Sequence, residues 1–196
     1  MDVKPSEVTA VLREAGVRRW VLMGLHGYVG YLPEPRATQD VDVLVDHDDR
    51  AAAVAAIEDR WPTLEVRASE VVVRFMDPGE LDADGRSKPV IDVMLPWSHL
   101  HAEVLKSQVV VDEATDDRVP TLEAALAAKY AAMVSPNRQP AKKAFDAGDF
   151  RNLVLSNADQ IDSEELVRLA ELVWEGATDD ILDLLDAAKT DRPFEL

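Results

Sequence analysis

Residues 40–45 read Asp-Val-Asp-Val-Leu-Val. Side chains alternate across a strand, so Asp40 and Asp42 share one face while Val41, Val43 and Val45 take the other. Arg36 and Thr38 have the same parity as the acids and share their face if the strand starts early enough. Like charges side by side are unfavourable on a half-buried sheet. Solvent, a shared proton or a divalent cation would relieve them. Acids that alternate with strictly apolar residues suggest the cation. Oxygen-only ligands point to Mg²⁺ or Mn²⁺, ions that usually work with substrate phosphates.

The flanking segments suit that chemistry. Val17–Met23 reads as a buried strand ended by Gly24, and Leu25–Leu32 as a short helix after a glycine turn. The start of such a helix offers free N–H groups to phosphate. Pro33 and Pro35 predict an extended connection into the acidic strand. Farther on, Pro89–Pro96 reads as another strand with one acid, Asp92, among apolar neighbours. A lone carboxylate there is costly unless paired or bound to a cation. If the two strands are neighbours, Asp92 completes a cluster with Asp40 and Asp42.

The chain has 196 residues, 47% of them hydrophobic, enough for one ordinary domain or a sheet domain with a helical appendage. Without cysteine, disulfides and thiolate metal sites are excluded. No apolar run approaches membrane-spanning length, and a cytoplasmic soluble protein is expected. The net charge is −17, and the densest basic patch is only Arg138 with Lys142 and Lys143. Extended nucleic acid is therefore a disfavoured partner. After Pro120 the pattern becomes helical, with helices expected over 121–133, 140–154, 162–174 and 178–188. The expected division is a sheet domain over 1–115 and a helical segment over 116–196.

Several residues have a structural reading beside a functional one. Lys129 interrupts an apolar helical stripe and would either snorkel to water or face a phosphate. Lys142 and Asp146 suit a site-facing or locking ion pair, or a surface pair one helical turn apart. Arg138 and Asp149 are read as structural. His26 is read as packing or surface. His99 and His101, even with His47, lack zinc spacing. The four tryptophans are scattered and read as core or interface.

Taken in order, these motifs resemble the nucleotidyltransferase-fold superfamily: a strand ending in a glycine turn, a helix, Asp-x-Asp on the next strand and a third acid on a later one. Pro35-Arg36-Ala37-Thr38-Gln39-Asp40-Val41-Asp42 looks like the AbiEii-type and related stand-alone bacterial members, and the run from Pro120 to Val154 resembles their helical segment. The resemblance spans residues 17 to 155. It implies an α/β (α+β) fold, a mixed β-sheet flanked by helices and followed by a C-terminal helical segment. It also implies Mg²⁺- or Mn²⁺-dependent transfer of NMP from a nucleoside triphosphate to an acceptor hydroxyl, on a small molecule, a protein or RNA.

Asp40, Asp42 and Asp92 would be the catalytic and metal-binding residues. Gly24, Leu25, Arg36, Thr38, Lys129, Lys142 and Asp146 would contact the nucleotide. A toxin–antitoxin or phage-defence setting is implied as well. Leu25 departs from the family's pattern, which has glycine or serine there. That departure, with the acidic surface, supports an alternative: a weak or inactive nucleotidyltransferase-like module acting through protein contacts. A metal-dependent phosphohydrolase is a third reading, weakened by missing histidines.

Overall fold

A computed structural model describes residues 2–34, 38, 40–81 and 85–194. Arg36, one of the expected nucleotide contacts, lies outside the described residues. Helix α1 (Pro5–Glu14) starts with proline in its first turn and buries Val8 and Leu12. Strand β1 (Trp20–Leu22) follows and is buried throughout. Strand β2 (Val41–Val45) carries the acidic motif, and helix α2 (Arg50–Arg60) follows it, burying Ala53 and Ile57. Strands β3 (Glu65–Ala68), β4 (Val72–Leu81) and β5 (Ser87–Met94) complete a sheet ordered β1-β2-β5-β4-β3. The β2–β5 pair is parallel and the other pairs are antiparallel, so the sheet is mixed.

Helix α3 (His99–Ser107) is capped by Ser98, whose hydroxyl accepts the His101 N–H. Strands β6 (Val109–Val111) and β7 (Arg118–Pro120) form a small hairpin. The boundary expected at 115 and 116 falls in its turn. Helices α4 (Leu122–Val134), α5 (Pro140–Ser156), α6 (Ser163–Glu171) and α7 (Thr178–Lys189) follow.

The alternation of β2 divides the molecule into layers. Val41, Val43 and Val45, with Ile91 and Val93 of β5, pack against Val8, Leu12 and Ile57 of the first two helices. The opposite face of β2 presents Leu44 to Leu100, Leu126, Tyr130 and Phe150, a core shared with the C-terminal helices. Helix α4 is buried on almost all sides, as a helix between two layers must be. Asp42 and Asp92 have the parity of this second face, so sheet and helical segment meet at the acids.

Three local expectations change. The glycine turn leads not into a continuous helix but into two three-residue 3-10 turns, Leu25–Gly27 and Val29–Tyr31. The Gly27 N–H is already shared between the Met23 and Gly24 carbonyls, leaving little of a helix-start anion cradle. Asp77-Pro78-Gly79, a sequence whose residue types favour a turn, lies inside β4 where its pairing with β5 shifts register. A bulge accommodates proline and glycine without ending the strand. Strand β7 was not expected; its three residues are too short for a periodic signal.

Candidate active site

The parallel ladder sets Asp42 directly beside Asp92, one register position on each strand. Neighbouring strands lie about 4.8 Å apart, so the two carboxylates share one face at contact range. Asp40 precedes the strand, and its carboxylate accepts a hydrogen bond from Thr38 Oγ1 at 2.5 Å. Burial pushes the Asp42 carboxyl up to about 7, helped by the charges of Asp40 and Asp92 and opposed by Lys129 and Arg138. Asp92 is also raised by burial, against the pull of Arg74. Arg74 reaches it across the β4–β5 pair, Nε to Oδ2 at 3.3 Å. Asp92 Oδ1 is buried and has no hydrogen-bond partner among the described residues, a costly state for a carboxylate oxygen.

Gly24 closes the site from above. The Met23 N–H donates to the Asp42 carbonyl at 2.8 Å, which holds the turn against the acidic strand. Gly24 has φ +56° and ψ −151°, a region nearly exclusive to glycine. A Cβ there would stand 2.1 Å from Asp42 Oδ2, so no other residue fits without moving the carboxylate. Leu25 turns into the core with Met23 and Tyr28. Its side chain does not project over the acids, and a contact from this position falls to its backbone. Burial lowers the His26 pKa although the nearby Asp40 charge opposes it.

A cleft of about 290 Å³ opens beside Gly24 and Asp42, with Lys129, Arg138 and Asp146 on its helical wall. Lys129 is only 8% exposed. Its ammonium donates to Asp146 Oδ1 at 2.9 Å and Asp149 Oδ2 at 2.8 Å, and sits 4.9 Å from the centroid of the Tyr28 ring. The Tyr28 hydroxyl also donates to Asp149 Oδ2. Arg138 donates from Nε to the second oxygen of Asp146 at 2.9 Å, with Nη2 2.8 Å from the same oxygen in the ion pair. Two cations and two anions balance, which is how charges survive burial.

The structure thus distributes the expected nucleotide contacts unevenly. Gly24, Lys129 and Asp146 line the cleft together with Asp42. Lys142 is exposed and does not pair with Asp146; its charge is felt at Asp92 instead. Arg138 and Asp149, read as structural from sequence, belong to the network of Lys129. Tyr28 carried no motif, and Arg138 stood out only as part of a small basic patch; their pairing with acids marks both.

A hard divalent cation fits the donor set. Asp42 and Asp92 offer oxygens side by side, one of them unpartnered, under a glycine that leaves the carboxylate room. Among the described residues no three His, Asp or Glu side chains are grouped so that they could hold a metal ion, and the donor set here is the pair Asp42 and Asp92.

No protein-family model matches the chain, and no curated protein matches it in sequence. Solved structures do match in fold. An antigenic nucleotidyltransferase-like protein from Paracoccidioides brasiliensis aligns with TM-score 0.51 and 16% identity, over 93% of this chain and 90% of its own. ANT(2'')-Ia in complex with adenylyl-2''-tobramycin aligns with TM-score 0.51 and 16% identity, over 94% of each chain. The solution structure of ANT(2'')-Ia gives TM-score 0.52 at 15% identity, over 98% of this chain and all of that one. The fold is nucleotidyltransferase-like. No helix among the described residues is long and apolar enough to cross a membrane.

Proposed function

We propose that this chain is a metal-dependent nucleotidyltransferase that moves NMP from a nucleoside triphosphate to an acceptor hydroxyl. The observation that carries the reading is the in-register pair of Asp42 and Asp92 beneath Gly24, with one carboxylate oxygen unpartnered. Asp42 and Asp92, with Asp40 beside them, would hold Mg²⁺ or Mn²⁺. When bound, the ion supplies charge neutralisation at the phosphates and acidifies the acceptor hydroxyl.

The protein's own groups do the rest. The acceptor oxygen bonds to the α-phosphorus as the bond from that phosphorus to the β-bridging oxygen breaks, releasing pyrophosphate. Asp92, whose Oδ1 has no hydrogen-bond partner among the described residues, would receive the hydroxyl proton. Arg138 is the cation that would meet the polyphosphate: of its five N–H donors one, on Nε, is given to Asp146, and the side chain is 39% exposed. Lys129, tied to two carboxylates, positions Asp146 and through it Arg138. Thr38 orients Asp40.

The Leu25 side chain, which with the acidic surface is the sequence support for an inactive binding module, is buried in the core. The AbiEii-type resemblance extends the proposal to ATP as the first triphosphate to test, to the cytoplasm, and to a toxin–antitoxin or phage-defence setting.

The test is to incubate the chain with each of four α-labelled triphosphates, Mg²⁺ and cell extract, alongside thermal shift. Label on an acceptor, and a melting temperature raised by mass action, are expected for wild type and lost in Asp42→Asn. A wild type that responds to no triphosphate refutes the proposal.

A further inference from the structure

A second cavity, of about 500 Å³, opens off the same helical wall. It shares Trp97, His101, Ala131 and Ser135 with the cleft over Asp42, so the two are adjoining chambers. Its character is different. Among the described residues no lysine or arginine lines it, and Asp180 is its one carboxylate. Phosphate has no counter-charge there.

Trp97 and Trp174, just before α3 and just after α6, are 63% and 45% exposed. They are held in place. Trp97 meets the His101 ring edge-on at 5.3 Å, and Ser98 Oγ sits 3.1 Å from His101 Nδ1. Trp174 Nε1 donates to the Tyr130 hydroxyl at 2.5 Å, which in turn donates to Asp180 Oδ2 at 3.4 Å. Asp180 makes no ion pair among the described residues. Burial holds His101 down to about 4, so its ring is neutral and adds no positive charge.

We propose that this chamber is the acceptor subsite, and that it takes a small hydroxylated molecule carrying a single ammonium on an aromatic or alkyl body. The term acceptor rests on the nucleotidyltransfer reading; the ligand chemistry does not. A volume of this size suits a drug-sized molecule and far exceeds one nucleobase. Indole faces attract ammonium and bury an apolar body. One carboxylate matches one positive charge, and a polycation would leave charges unpaired. The net charge of −17 draws cations to the surface. A molecule seated here presents its hydroxyl through the shared wall toward Asp42 and Asp92. That oxygen then forms the bond to the α-phosphorus, pyrophosphate departs, and the proton passes to Asp92.

The test is calorimetry on the full chain without nucleotide, using tyramine and 4-hydroxyphenylacetate, which share ring and hydroxyl but differ in charge. Tyramine binds, and the acid binds at least about tenfold more weakly. Asp180→Asn weakens tyramine about tenfold, the usual loss for a hydrogen bond to a charged group. Trp97→Leu, a change at an exposed residue that leaves the core intact, weakens it severalfold. No tyramine binding, equal affinity for both probes, or a folded Asp180→Asn with wild-type affinity overturns the inference. Mg²⁺·ATP binding, measured in parallel, separates the two proposals. If ATP binds and tyramine does not, only the subsite falls. If tyramine binds with charge selectivity and no triphosphate binds, the ligand class stands and the transfer reaction falls.

Discussion

Replacing Asp42 by asparagine should stabilise the metal-free protein while removing its chemistry. The Asp42 carboxyl is pushed from 3.8 up to about 7 by burial and by Asp40 and Asp92. A shift of about 3 units corresponds to about 4 kcal/mol of unfavourable ionisation in the fold. The sign follows from proton uptake. Between pH 3.8 and about 7 the folded protein binds a proton that the unfolded chain has lost. Stability therefore falls as pH rises through that window, and the full penalty is present above pH 7. Asparagine keeps the shape and carries no charge, so the penalty disappears.

His101 complicates the wild-type curve alone. Its pKa is lowered to about 4 by burial, so the unfolded chain binds the extra proton between about 4 and 6.5 and stability rises with pH there. The two slopes oppose each other, and wild type by itself will look flatter than either group predicts. The difference between wild type and Asp42→Asn cancels the histidine. Urea unfolding in EDTA at pH 4 and pH 8 is the assay. The variant should be within about 1 kcal/mol of wild type at pH 4 and more stable by roughly 4 kcal/mol at pH 8. A variant that is no more stable than wild type at pH 8 refutes the reasoning, because the acid would then be solvated or already paired.

Gly24→Ala should lose nucleotide binding by calorimetry and about 1–3 kcal/mol of stability in urea, since it combines a disfavoured backbone with a Cβ 2.1 Å from Asp42 Oδ2. Lys129→Met should cost about 3–5 kcal/mol, because it strips an ion-pair partner from the buried Asp146 and Asp149. Arg138→Met should cost less in urea than Lys129→Met, Lys129 still holding Asp146, but should weaken Mg²⁺·ATP binding. Equal ATP affinity in wild type and Arg138→Met would remove Arg138 from the phosphate path. His101→Gln should make stability fall more steeply with pH between about 4 and 6.5 than in wild type, because the opposing histidine slope is gone, checked by the same titration.

How much of this could be read before the fold was known depends on the range over which each property is set. Alternation within residues 40–45 is local, and the parity of Asp42 follows from it without any tertiary knowledge. The partner strand needed one more inference, that an acid in an apolar strand wants company, and the register of β2 on β5 supplies that company at Asp92. The glycine was legible as a stop, but not as a residue whose missing Cβ makes room for a carboxylate on the next strand. Lys129 shows where local reading fails. A lysine in an apolar stripe is equally a snorkelling residue or a site cation, and the choice was made by Asp146 and Asp149 on the next helix. Once both carboxylates are spent on Lys129, Asp146 has an oxygen left for Arg138 rather than Lys142, which lies one helical turn from it in sequence. The i,i+4 rule is worth only a few tenths of a kcal/mol on a surface. A buried acid facing two cations outweighs it, and so the residue meeting the cleft is one the helical pattern did not single out. The same reasoning covers the tryptophans: Trp97 and Trp174 are unremarkable in sequence because a shared wall is built by packing α3, α4 and the end of α6, and none of those contacts is local.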